Sequence, residues 1–279
     1  MWLIRVEAYT KCHYIHSASA ISFVICILAA ISILVSLVCI ALNFAFIKCP
    51  GLITATPYFN SMMLVGSFLM SLSIPFWVSD PLENSTFCAV RIYLLAFGFA
   101  ICVGGLIIKF VRIELLPEEG AMPWYLDEKW MCVAFSPFVV WEAVTVGVFS
   151  AVANPVLSLV EKVIWDVYTI REFTCAEVNG AGLGVMLGMN SVLLTAAGVM
   201  LFRCRNVLGD FNEIKFATLF VYAIMLTCLV IIPFTIIAGK SASFDIIFLV
   251  FGLAVLICST FGAASKYSHL FLMCLMIKS

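Results

Sequence analysis

Few side chains in this sequence are suited to chemistry. Cys12-His13-x-x-His16 has the ligand types of a zinc site, but it lacks a fourth ligand and sits on a terminal stretch. Metal binding is not expected there, and His269 stands alone near the other terminus. No Gly-rich phosphate loop, H-E-x-x-H or G-x-S-x-G is present, so neither an enzyme nor a cofactor is expected. The remaining candidate is Glu142, which follows Trp141 in the middle of a long apolar run. An ionisable group inside a bilayer costs at least ~2.5 kcal/mol. Two readings fit it: a protonated carboxyl hydrogen-bonded to a neighbouring helix, or a proton or ligand site. The first is preferred, because no basic residue falls at matching depth.

These residues have to be carried by membrane helices. Of the 279 residues, 64% are hydrophobic and only 11% charged, whereas soluble domains carry roughly 25% charged residues. The net charge of −1 offers nothing to nucleic acid. A spanning helix needs about 20 apolar residues. Seven runs qualify: 18–47, 57–79, 87–110, 130–153, 180–202, 216–238 and 245–268. Backbone groups must be satisfied within lipid, and the alternating ten-residue segments of a β-barrel are not apparent. The expected fold is an all-α membrane protein, a seven-transmembrane helix bundle over residues 18–268. Residues 1–17 would form a short extracellular N-terminus and 269–279 a short cytoplasmic tail. No small-residue cleavage site follows the first run, so it reads as a spanning helix rather than a signal peptide.

With the N-terminus outside and the C-terminus in the cytoplasm, nine Lys or Arg residues fall inside and six outside, the expected direction of bias. The same orientation puts the Asn84-Ser85-Thr86 glycosylation sequon in the first outer loop. It also turns Cys12, Cys88 and Cys175 outward, to an oxidising side where a pair is expected to form a disulfide. A Cys88–Cys175 bridge would pin the loop between helices 4 and 5 over the bundle mouth. The other nine cysteines sit in helices or at their inner edges, where they act as small apolar residues. Gly98, Gly104 and Gly105 in helix 3, and Gly180, Gly182, Gly184 and Gly188 at the start of helix 5, allow close helix approach. Pro75, Pro137 and Pro233 are expected to kink helices 2, 4 and 6. Lys109 ends helix 3, while Glu213 and Lys215 open helix 6. A Lys109–Glu213 pair across the inner mouth would bias two arrangements of helix 6.

Several motifs, in order, resemble class C G-protein-coupled receptors, above all the GABA-B branch and then the metabotropic glutamate receptors. Thr56-Pro57-Tyr58-Phe59-Asn60 with Gly66 looks like the family's opening of helix 2. Cys88-Ala89-Val90-Arg91 looks like its helix 3 start, and Lys109-Phe110-Val111-Arg112-Ile113 like its K-x-x-R ending. Asn154-Pro155 is similar to an acid-Pro pair after helix 4 in GABA-B receptors. Arg205-Asn206-Val207 and Phe211-Asn212-Glu213-Ile214-Lys215-Phe216 look like the third inner loop and the helix 6 start. The likeness runs from about residue 20 to 270.

The resemblance implies a disulfide between Cys88 and Cys175 and an inner ionic lock between Lys109 and Glu213. It also implies inner loops that meet a heterotrimeric G protein, through Arg112, Lys129, Arg203, Arg205, Asn206, Asn212 and Lys215. A homo- or heterodimer with another receptor subunit, in the plasma membrane, is implied as well. Two departures stand out. Ser265-Lys266 replaces the family's Pro-Lys at the end of helix 7. Only about 17 residues precede helix 1, leaving no room for the bilobed ligand-binding domain. A short orphan-type member, a fragment, or a chain whose partner binds ligand would each account for that. The competing expectations are a non-signalling partner subunit of a longer receptor, or a small-solute transporter working through Glu142. No likeness between helices 1–3 and 5–7 supports the transporter.

Overall fold

The computed structural model describes residues 20–45, 57–78, 85–115, 128–153, 156–164, 168–176 and 180–204, with residues 221, 222, 224–226, 253 and 256. Five helices are long and apolar enough to cross a bilayer. They are α1 (Ala20–Ala45), α2 (Pro57–Val78), α3 (Ser85–Glu114), α4 (Glu128–Ala153) and α5 (Gly180–Cys204). At 1.5 Å per residue the 26 residues of α1 reach about 39 Å, more than the ~30 Å hydrocarbon core. The sixth and seventh apolar runs lie mostly outside the described residues. Their helical residues Val221, Ile224 and Leu256 nevertheless enter one core cluster with Ile25 of α1, Met63 and Met70 of α2, Leu106 and Phe110 of α3, and Leu201 of α5.

The spanning elements are all helical, and the loop between α4 and α5 carries a two-stranded hairpin outside them. It contains strands β1 (Val156–Ile164) and β2 (Tyr168–Ala176), paired antiparallel from Val156↔Ala176 to Ile164↔Tyr168. Both strands are rich in β-branched and aromatic residues, the types that fit a pleated surface. That composition was the signal available in the sequence. At nine residues each, the strands are far shorter than the about 20 apolar residues of a spanning helix and do not stand out beside them.

α3 is the hub. In its spanning window 67% of residues are buried, against 28% in each of α1, α4 and α5. Glycine lets it come that close. A methyl group built on Gly98 would lie 2.8 Å from the Gly66 carbonyl oxygen of α2, and one on Gly66 would lie 2.6 Å from the Gly98 oxygen. Seven residues on, Gly105 meets Met63 of α2, with 3.1 Å left for a Cβ. Gly104 faces α4 instead, 3.0 Å from the Phe138 Cβ. Gly188 of α5 behaves otherwise: among the described residues nothing lies within 4 Å of its Cβ position, so none of them makes the close approach expected there.

α1 joins α2 by an inside-out pattern suited to lipid. Ile25, Ala29, Ser32, Ser36, Cys39 and Asn43 recur at spacings of four and three, and all are buried. The exposed faces carry Phe23, Ile31, Leu34 and Phe44. Lipid is as apolar as leucine, so small and polar residues supply the packing seam. Here the Asn43 Nδ2 donates to the Ser61 hydroxyl at 2.6 Å, and the Ser32 and Ser71 hydroxyls share a 2.9 Å bond. Such interhelical bonds contribute roughly 0.6 kcal/mol each.

Other polar groups turn back on their own helix. α2 continues through Pro75 and α4 through Pro137. Pro137 lacks the N–H that would bond the carbonyl of Val133, four residues earlier. The Ser136 hydroxyl donates to that oxygen at 2.7 Å, so the carbonyl is not bare in lipid. Pro233 lies outside the described residues.

The α2–α3 contact generates a test. Gly98→Ala is expected to lower stability by roughly 1–3 kcal/mol, because the new methyl meets the Gly66 oxygen and the Met70 nitrogen, backbone atoms that cannot swing aside as the Met70 side chain can. Gly188→Ala should leave thermal unfolding in detergent unchanged or raise it slightly. Equal melting of the two variants would refute the backbone-contact account.

Candidate functional site

Three polar stations occur along α3 and its neighbours, one at each end of the bundle and one at mid-depth. The first is the end that carries the hairpin. Cys88, in the first turns of α3, is fully buried and disulfide-bonded. Three residues on, the Arg91 guanidinium sits over the Trp77 ring of α2, 4.2 Å from its centroid. This cation–π contact spans the tops of α2 and α3 and contributes about 0.5–2 kcal/mol, depending on desolvation. Below it the Tyr93 and Ser150 hydroxyls bond at 2.6 Å, tying α3 to α4, and the Ser150 hydroxyl also bonds the Val146 carbonyl at 2.7 Å. Cys175 stands opposite Leu157 in the hairpin register.

The second station is Glu142. Its side chain is fully buried in α4, and neither carboxyl oxygen has a hydrogen bond. The carboxamide of Asn190 on α5 is the polar group beside it. That amide's Nδ2 donates to the Met186 carbonyl at 3.1 Å, and its Oδ1 is buried without a partner. Thr145, one turn along α4, is also fully buried and donates to the Trp141 carbonyl at 2.9 Å. Ala100 and Val103 of α3, with Leu193 and Ala197 of α5, pack beside Trp141 and close the layer.

The third station is the opposite end, where α3 and α5 finish together. The Glu114 carboxylate accepts from the Arg203 guanidinium at 2.9 Å. Arg203 is 62% exposed and Glu114 25%, so in water such a pair contributes only about 0–1 kcal/mol. Sequence reasoning did not single out Glu114. The signal for it was an acid and a base in the last turns of two helices expected to run side by side. Lys109 lies one turn and a half before Glu114 on α3, and Arg112 is half-buried between them.

Not all expected residues can be brought together. Asn84, Arg205, Asn206, Asn212, Glu213 and Lys215 lie outside the described residues, as does Cys12. Lys129 and Cys175 are placed only by the backbone of α4 and β2. Among the described residues no group of three metal-ligating side chains occurs. Cys26, Cys39, Cys102 and Cys132 are thiols within the helices.

Comparison with known proteins places this geometry in context. Residues 15–264 match the family described as 7 transmembrane sweet-taste receptor of class 3 G-protein-coupled receptors. Metabotropic glutamate receptor-like protein J of Dictyostelium discoideum is 22% identical over 226 residues, covering 79% of this chain and 28% of that protein. Metabotropic glutamate receptor-like protein M of the same organism is 25% identical over 221 residues, covering 74% and 28%. G-protein coupled receptor family C group 6 member A of Carassius auratus is 25% identical over 174 residues, covering 61% and 18%. The match thus spans 28% of the length of the first two relatives. It covers every described helix and the hairpin between α4 and α5. The chain is a multi-pass integral membrane protein, it is not an enzyme, and it belongs to the seven-transmembrane family of class C G-protein-coupled receptors.

Proposed function

We propose that the chain transduces a signal from the hairpin end of the bundle to a heterotrimeric G protein at the opposite end. The signal would come from an extracellular ligand or a partner subunit. The observation that carries this reading is the family match over residues 15–264, which takes in the whole bundle rather than one helix pair. The hairpin end is taken as extracellular, because the disulfide of Cys88 needs an oxidising compartment. Cys175 is its proposed partner; β1 and β2 pair along their full length, and β1 packs against α3. The same orientation exposes Asn84 to glycosylation at the plasma membrane. Asn154-Pro155 and the order of the inner motifs favour a GABA-B-like member. The relatives above carry metabotropic glutamate receptor-like and family C names, so the branch is the narrower part of the proposal.

At the inner end, Lys109 and Glu213 form the proposed lock, with Glu114–Arg203 alongside it. The G protein would meet Arg112, Lys129, Arg203, Arg205, Asn206, Asn212 and Lys215. Moving a two-state bundle from 1:99 to 99:1 takes about 5.5 kcal/mol. Exposed ion pairs of about 0–1 kcal/mol cannot supply that. They set the resting bias, and differential binding of ligand or partner subunit, in a homo- or heterodimer, has to supply the rest.

Purified chain in lipid, assayed for agonist-independent nucleotide exchange on a panel of G proteins, tests this reading. Glu213→Ala is expected to raise basal exchange. Glu114→Gln should change it by no more than roughly fivefold, the equivalent of about 1 kcal/mol. Absence of exchange with every G protein would overturn direct coupling and favour a non-signalling partner subunit. At the other end, Cys88→Ser and Cys175→Ser should lower the melting temperature equally, and the double variant should be no worse than either. Additive losses would rule out a bond between them.

A further inference from the structure

The transduction reading leaves Glu142 unused, and its surroundings are unusual for a carboxyl at membrane depth. α3 and α4 run antiparallel, with Tyr93 bonded to Ser150 and Gly104 packed on Phe138. Interpolating between these contacts puts Glu142 level with Ala100. Arg91 and Lys109 each lie nine residues from Ala100 along α3, about 13 Å away at 1.5 Å per residue. Arg112 and Glu114 are farther still. On α5, Arg203 comes thirteen residues after Asn190, about 20 Å along the axis. α2 has no charged residue. The phenol of Tyr93 is engaged by Ser150. No base among the described residues therefore stands at the level of Glu142.

Oxygen atoms do. The two carboxyl oxygens of Glu142 and Oδ1 of Asn190 are buried without hydrogen bonds. Thr145, at the i+3 position on the same face of α4, has spent its proton on the Trp141 carbonyl and presents lone pairs only. All are acceptors when the carboxyl is ionised, and oxygen acceptors suit hard cations. A divalent ion would leave an uncompensated positive charge in the bundle, whereas a monovalent ion balances the single carboxylate.

From this we propose that Glu142, Thr145 and Asn190 form an intramembrane site between α4 and α5 for a monovalent cation of sodium size, which exchanges with a proton on Glu142. Occupation ties α4 to α5 through oxygens on both helices. The cation-free form is neutral and protonated, so the carboxylate is never left bare at mid-depth. This inference does not depend on G-protein coupling, because its test reads folding alone.

The test is thermal unfolding of the full chain in neutral lipid nanodiscs, titrating sodium chloride against choline chloride at constant ionic strength. The expected result is a saturable rise in melting temperature of roughly 2–4 °C, larger at alkaline than at acidic pH and abolished in Glu142→Gln. Asn190→Ala, which retains the carboxyl, should shift the sodium midpoint at least several-fold upward. A melting temperature indifferent to sodium would overturn the proposal, as would a sodium response that survives in Glu142→Gln. Should Glu142→Gln not fold, an unchanged midpoint in Asn190→Ala overturns it equally.

Discussion

The backbones of α2 and α3 touch at Gly66 and Gly98, and the rest of the bundle is arranged around that contact. Two glycines facing each other remove the side chains that would otherwise hold helices 8–10 Å apart. Once α3 is drawn in, residues on several of its faces become core. Leu106 and Phe110 meet α2 and residues of the sixth and seventh runs, Ile92 and Ala96 meet α4 and α5, and Ala100 and Val103 fill the layer by Trp141. A helix buried on so many sides can transmit a displacement from one end of the bundle to the other. It cannot move without repacking its neighbours.

Polar groups in lipid fall into three classes here, distinguished by where their hydrogen bonds go. Ser67, Ser136, Ser191 and Thr195 bond carbonyls of their own helices and cost little wherever they face. Ser32, Asn43, Tyr93 and Ser150 bond across helices and set which helix lies beside which. Glu142 does neither. A fully buried acid whose only polar neighbour among the described residues is the Asn190 carboxamide is the most expensive arrangement of the three.

The two ends of α3 are held differently. At the hairpin end a covalent bond at Cys88 and the Arg91–Trp77 contact hold the helix in place. At the opposite end a partly exposed ion pair, Glu114–Arg203, joins α3 to α5, and solvent and salt weaken it.

The sequence alone determined the membrane character and the apolar runs. Runs of 20 or more apolar residues without charges have no stable alternative to a helix in lipid, and that constraint is local. It also pointed to Cys88, Lys109, Arg112 and Glu142 as residues to watch, and its ordered motifs pointed to the receptor class. Other features were not legible because they depend on which surfaces meet. Gly66 pairs with Gly98, while Gly188 meets none of the described residues, although all three look alike as letters. The hairpin is not legible because its nine-residue strands become a sheet only by pairing with each other. Glu114 and Arg203 are 89 residues apart and acquire a relationship only when α3 and α5 end side by side. The tertiary structure decided these matters, because close approach, register and ion pairing are properties of two segments at once.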